Sequence, residues 1–155
     1  MMKILLIEDN PADASLIMDL CKIGFGSAVI EWASSLADGI SQLDVDQYNL
    51  IILDLGLPDS DGLDTLYSFK PHTICPIVVL TGHQSEELGV LAVKGGAQDY
   101  LLKGVDAKTL CRSLKYAIGR HSRSSIKKTK EQFTRGITHL TSIVDSLTGP
   151  FKLDN

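Results

Sequence analysis

Short apolar runs alternate with helix-like stretches along most of this chain, and that alternation limits its architecture more than any other feature. Residues 3–7, 28–33, 50–53, 76–80 and 100–102 read as strands: they are too short for helices, and most are apolar almost throughout, as in strands buried on both faces. Between and after them, residues 12–25, 34–43, 63–69, 86–94 and 107–118 carry helical spacing. In the first of these, apolar residues fall at 16, 17, 20, 21 and 23, Asn10 and Pro11 supply a cap and a first-turn proline, and Gly24 and Gly26 stop it. The second opens on Ser34 as cap, with Leu36, Ile40 and Leu43 on one face; the fourth ends at Gly95-Gly96. Gly56, Pro58 and Gly62 read as a loop after the third strand. Strand then helix, five times over, argues a parallel sheet covered by helices on both faces. Right-handed crossovers leave few topologies, and the expected one is a doubly wound five-stranded α/β sheet, flavodoxin-like, in strand order 2-1-3-4-5.

Charge divides the chain in two. Residues 1–118 hold 8 Lys/Arg against 16 Asp/Glu, a net of −8, whereas residues 119–155 hold 7 against 3, a net of +4. An acidic body of residues 1–120 and a basic extension of residues 121–155 are therefore expected as separate parts. In the extension, Ile126, Phe133, Ile137, Leu140, Val144 and Leu147 follow a heptad-like spacing that Gly136 weakens and Gly149-Pro150 ends. Two readings stay open: a dimerising helix, or a helix folded back on its own body. The positive charge reads as a solvated helix face rather than a nucleic-acid surface, so direct DNA binding is not expected of this chain. Residues beyond 150 resemble the opening of something else, such as an output module.

No apolar run approaches the ~18 residues of a membrane span. The first run ends in Glu8-Asp9 with no small-residue cleavage site, unlike a signal peptide. Cys21, Cys75 and Cys111 are odd in number and widely spaced, so they read as core thiols of a reducing compartment. A cytoplasmic protein is expected.

In open parallel sheets, ligands bind beyond the carboxyl ends of the strands. Glu8 and Asp9 follow the first strand, Asp54 the third, Thr81 the fourth and Lys103 the fifth. Singly these residues have plain explanations: an Asp after a strand is often a turn or cap residue, and a Lys is often just solvated. Together they point to phosphoryl chemistry. Three converging carboxylates repel one another, and a hard cation such as Mg²⁺ resolves that repulsion with oxygen ligands. Glu8, Asp9, Asp54 and the backbone carbonyl of Gly56 are the expected ligands. Asp54 is also the expected nucleophile, since a carboxylate can accept a phosphoryl group. Lys103 and Thr81 would meet the phosphoryl oxygens with a positive charge and a hydroxyl donor.

These stretches resemble the receiver domain of two-component response regulators. The resemblance runs from about Lys3 to Ile118, carried by Ile7-Glu8-Asp9-Asn10, by Leu53-Asp54-Leu55-Gly56-Leu57-Pro58 with Gly62, by Val79-Leu80-Thr81-Gly82, and by the segment from Gly96 to Lys103. It implies the same strand order, Mg²⁺ at Glu8 and Asp9, and phosphorylation of Asp54 by a histidine kinase or phosphotransfer protein. It further implies switching through Thr81 and Tyr100, relayed to the face of the fourth helix, fifth strand and fifth helix, in a domain that is not itself an enzyme. One departure stands out. Receivers usually carry proline after the lysine, and here Gly104 stands there, so the following loop is expected to differ in shape.

Three rival readings meet obstacles in the same residues. A haloacid-dehalogenase-type phosphatase also uses an aspartyl phosphate but needs a second Asp two residues on, where this chain has Gly56. A nucleotide or flavin binder would need a phosphate-cradling first loop, and Glu-Asp-Asn-Pro-Ala-Asp would repel a phosphate. A degenerate receiver that only binds proteins would have no need of the intact acid set. His139 lacks the acidic neighbour of a kinase phosphorylation box.

Overall fold

The computed structural model describes residues 1–82 and 85–123. Met1–Gly119 forms one compact unit. The heptad-like stretch from Ile126 to Leu147 and His139 lie outside the described residues.

Five parallel strands make the main sheet: β1 (Lys3–Ile7), β2 (Val29–Ala33), β3 (Leu50–Leu53), β6 (Ile77–Thr81) and β7 (Asp99–Leu102). Gly56–Leu57 (β4) and Ser60–Asp61 (β5) form a two-residue antiparallel hairpin where the sequence suggests only a loop. The sheet runs β2-β1-β3-β6-β7, which is the expected 2-1-3-4-5 order once the hairpin is set aside. Between the strands run α1 (Pro11–Gly24), α2 (Leu36–Val45), α3 (Leu63–Phe69) and α4 (Glu86–Lys94), and α5 covers residues 107–123.

Period-two alternation splits the core into two layers. Leu5, Ile7, Ile51, Leu53 and Val79 face one side, where Leu36, Leu66 and Ala92 from α2, α3 and α4 meet them. Ile4, Leu6, Ile52 and Val78 face the other, against Ile17 and Cys21 of α1 and Leu110 and Leu114 of α5. The central strands β1, β3 and β6 are buried on both faces, which explains their unbroken apolar sequence.

Helix starts follow local chemistry. The Asn10 side chain accepts hydrogen bonds from the Ala12 and Asp13 amides, with Pro11 in the first turn. The cap of α2 is Ser35, not Ser34: its hydroxyl accepts from the Asp38 amide, so the helix begins two residues later than the sequence suggests. Asp59, at the turn of the hairpin, binds the same helix end through both carboxylate oxygens, 2.9 Å from the Leu36 and Ala37 amides. That bond fastens the segment after Asp54 to α2.

Candidate functional site

The carboxyl edge gathers the expected residues. Glu8 leaves the end of β1 fully buried, Asp54 leaves β3 almost fully buried, and Asp9 is exposed. Oxygen atoms of Glu8, Asp9 and Asp54 lie within 4.8 Å of one another. Ligands on opposite sides of a small cation with ~2.1 Å bonds stand about 4.2 Å apart, so this donor set is close to the spacing a hard divalent cation requires. Among the described residues no donor is aligned on Glu8 Oε2, whose partner is the Lys103 ammonium in an ion pair. An all-oxygen, anionic cluster with two buried carboxylates and one exposed to solvent fits a cation of that class.

Lys103, just past β7, reaches back across the edge. Its Nζ lies 2.8 Å from Glu8 Oε2, 2.9 Å from Asp13 Oδ2 and 3.0 Å from Asp54 Oδ2. Burial pulls the ammonium's pKa down, but the carboxylates outweigh it and hold the pKa above the ordinary lysine value. Burial pushes Glu8 up to about 7; Lys103 opposes this rise and Asp54 adds to it. Glu8 Oε1 accepts from the Asn10 amide at 3.1 Å. Asp54 Oδ1 accepts from the Gly56 amide at 3.1 Å, which brings the start of the hairpin beside the cluster.

Thr81 ends β6 buried, and its carbonyl accepts from the Lys103 amide at 2.8 Å. Tyr100 lies in β7, partly buried against the layer of α2, α3 and α4. Its ring packs on Gly89 of α4, where an added Cβ would come within 3.1 Å of it. Gly104 has φ of +98°, a conformation closed to proline, whose ring fixes φ near −65°. The loop therefore takes a shape that the usual residue could not.

Two residues beside the site are given no site role by the sequence. Asp13 pairs with Lys103 from the first turn of α1, and Trp32 of β2 donates its indole N–H to the Glu8 carbonyl at 2.6 Å. Asp13 carries a faint signal, one helical turn beyond Asp9 with a side chain that leans toward the helix start. Trp32 carries none. Among the described residues, no helix is long and apolar enough to cross a membrane.

Comparison with known proteins supplies the lineage. Residues 4–115 match the family model described as the response regulator receiver domain. The chain is 34% identical over 122 residues to the KDP operon transcriptional regulatory protein KdpE of Escherichia coli, covering 79% of this chain and 53% of that one. It is 32% identical over 131 residues to the cell cycle transcriptional regulator CtrA of Caulobacter vibrioides, covering 81% and 55%. The chain thus spans about half the length of the curated relatives it matches. Among solved structures, a response regulator receiver domain protein from Clostridium thermocellum superposes with a TM-score of 0.69 at 30% identity, covering 79% of this chain and 98% of that one. The receiver domain of a Luxo repressor protein from Vibrio parahaemolyticus does so at 0.71 and 29%, covering 81% and 95%. With the sheet order and the acidic edge already in place, the match across its body makes this chain a member of the response regulator receiver domain family of two-component systems.

Proposed function

We propose that this chain is a phosphorylation-controlled switch in which Asp54 accepts a phosphoryl group from a histidine kinase or phosphotransfer protein. The observation that carries the reading is the meeting of the buried Asp54 and Glu8 carboxylates with the Lys103 ammonium at one sheet edge. An Asp54 carboxylate oxygen attacks phosphorus in line, the bond to the donor's leaving group breaks, and an acyl phosphate results. Mg²⁺, held by Glu8, Asp9, Asp54 and the Gly56 carbonyl, would neutralise charge on the transferring oxygens. Lys103 sits where it can exchange its contact with Asp54 for a phosphoryl oxygen. Thr81 would donate its hydroxyl to another, and the Gly82 amide can add a further donor.

Thr81 and Tyr100 then relay the change to the face of α4, β7 and α5. Tyr100 packs on α4, so a shift in its ring is felt at that helix. The relatives' names, transcriptional regulatory protein and transcriptional regulator, support an output in gene control through a module beyond residues 1–120. A cytoplasmic setting suits that role, and a homodimer is a natural form for the activated state. The switch assists its own phosphorylation and dephosphorylation but turns over no other substrate.

Acetyl phosphate with Mg²⁺ tests this directly. One base-labile phosphoryl group should be gained, located at Asp54 by mass spectrometry after borohydride trapping. The same gain in Asp54→Asn would remove the assignment. No gain in a folded wild-type chain would favour the degenerate, protein-binding reading. Sedimentation with and without beryllium fluoride tests the homodimer, and an unchanged monomer in both states excludes it.

A further inference from the structure

The backbone that carries the acid pair is held from its neighbouring strand on both sides. The Glu8 amide donates to the Ala33 carbonyl at 3.0 Å, and the Glu8 carbonyl accepts the Trp32 indole N–H at 2.6 Å. That carbonyl belongs to the peptide joining Glu8 to Asp9. Rotation of this peptide would swing Asp9, the exposed member of the cluster, relative to the two buried carboxylates. On the far side, the Asn10 amide is tied to Glu8 Oε1 and the Asn10 side chain to α1. The indole bond thus completes the anchoring of a three-residue segment. Trp32 is paired with Leu6 in the sheet, yet it is 41% exposed, so its burial explains little of its presence.

We propose that Trp32 is a positioning residue for the cation site: its indole N–H fixes the Glu8–Asp9 peptide so that Asp9 meets Glu8 and Asp54 at ligand spacing. The inference rests on the cation reading given above. It has a second consequence, because Trp32 is the one tryptophan of the chain. An indole bonded directly to a ligand residue's backbone reports on the site through its own emission.

Two measurements test this. In the wild-type chain, Trp32 emission should change on Mg²⁺ addition and saturate at the midpoint found by calorimetry. Trp32→Phe keeps an aromatic ring and removes the donor. Calorimetry on that variant should give Mg²⁺ affinity weakened by about tenfold, the low end of the effect of losing a group that orients a ligand. Its far-UV circular dichroism should be unchanged. If the wild-type chain takes up no Mg²⁺, the cation reading itself fails. If wild type binds Mg²⁺ and Trp32→Phe binds it equally well, the cation reading stands and the role of Trp32 is overturned. Should the variant not fold, the wild-type titration decides alone: emission unmoved at saturating Mg²⁺ overturns the proposal.

Discussion

Asp54 carries its negative charge almost out of reach of water, beside other charges of the same sign. Glu8, Asp9 and Asp13 crowd around it, and Lys103 is shared among three of the four carboxylates. Asp54→Asn removes one like charge and keeps a carbonyl oxygen to accept the Gly56 amide. In the absence of divalent cations the variant should be more stable by about 1 kcal/mol, read from urea unfolding in chelator. A net loss would mean that the pair with Lys103 outweighs the repulsion. At this scale the sequence is legible wherever a residue directly follows an apolar strand. Glu8, Asp9, Asp54, Thr81 and Lys103 all stand at or just past the carboxyl end of a strand, so sheet order alone delivers them to one edge. Asp13 and Trp32 reach the site from a helix turn and from an edge strand's side chain, and their approach depends on packing that periodicity does not encode.

Among the elements, the hairpin of β4 and β5 shows what the sequence left out. Gly56, Pro58 and Gly62 mark a turn, but the bond from Asp59 to the start of α2 is tertiary and has no local signature. The shift of the α2 cap from Ser34 to Ser35 has a similar source, because either serine suits a cap and only the docked helix chooses. The Ala37 and Leu36 amides hold the Asp59 carboxyl below its ordinary value of 3.8. A lowered folded pKa means that its stabilisation is present above the unfolded value and fades as pH falls from there through the folded one. Asp59→Asn should therefore lose about 0.5–1 kcal/mol at neutral pH and show a flatter acid limb than wild type, by chemical denaturation across pH. Gly89→Ala tests the seat of Tyr100 on α4. The new methyl meets the ring at 3.1 Å, while the helix gains from losing a glycine. Stability should change by less than about 1 kcal/mol, and the Tyr100 ring should turn outward, visible as a shift of its NMR resonances toward those of a solvated tyrosine. An unmoved ring would show that the neighbours yield instead.

For the molecule as a whole, a cation that binds the folded chain alone raises its stability in proportion to the logarithm of its concentration. At a hundred times its dissociation constant the gain is about 2.7 kcal/mol, so the thermal midpoint should climb with added Mg²⁺ and stay flat in Asp9→Ala. Equal shifts in both proteins would place the cation elsewhere. The reach of Lys103 adds a constraint of a different kind, one of timing. It meets Asp13 across 90 positions of chain and Asp54 across 49, and two strands of the sheet lie between β1 and β7. During synthesis the acids emerge first and the lysine that shares their charge emerges last. A chain grown only through β6 has every acid of the cluster and lacks its lysine. The charge cluster is therefore complete only when β7 docks, and on the function proposed above a chain shorter than that has no assembled phosphoacceptor site.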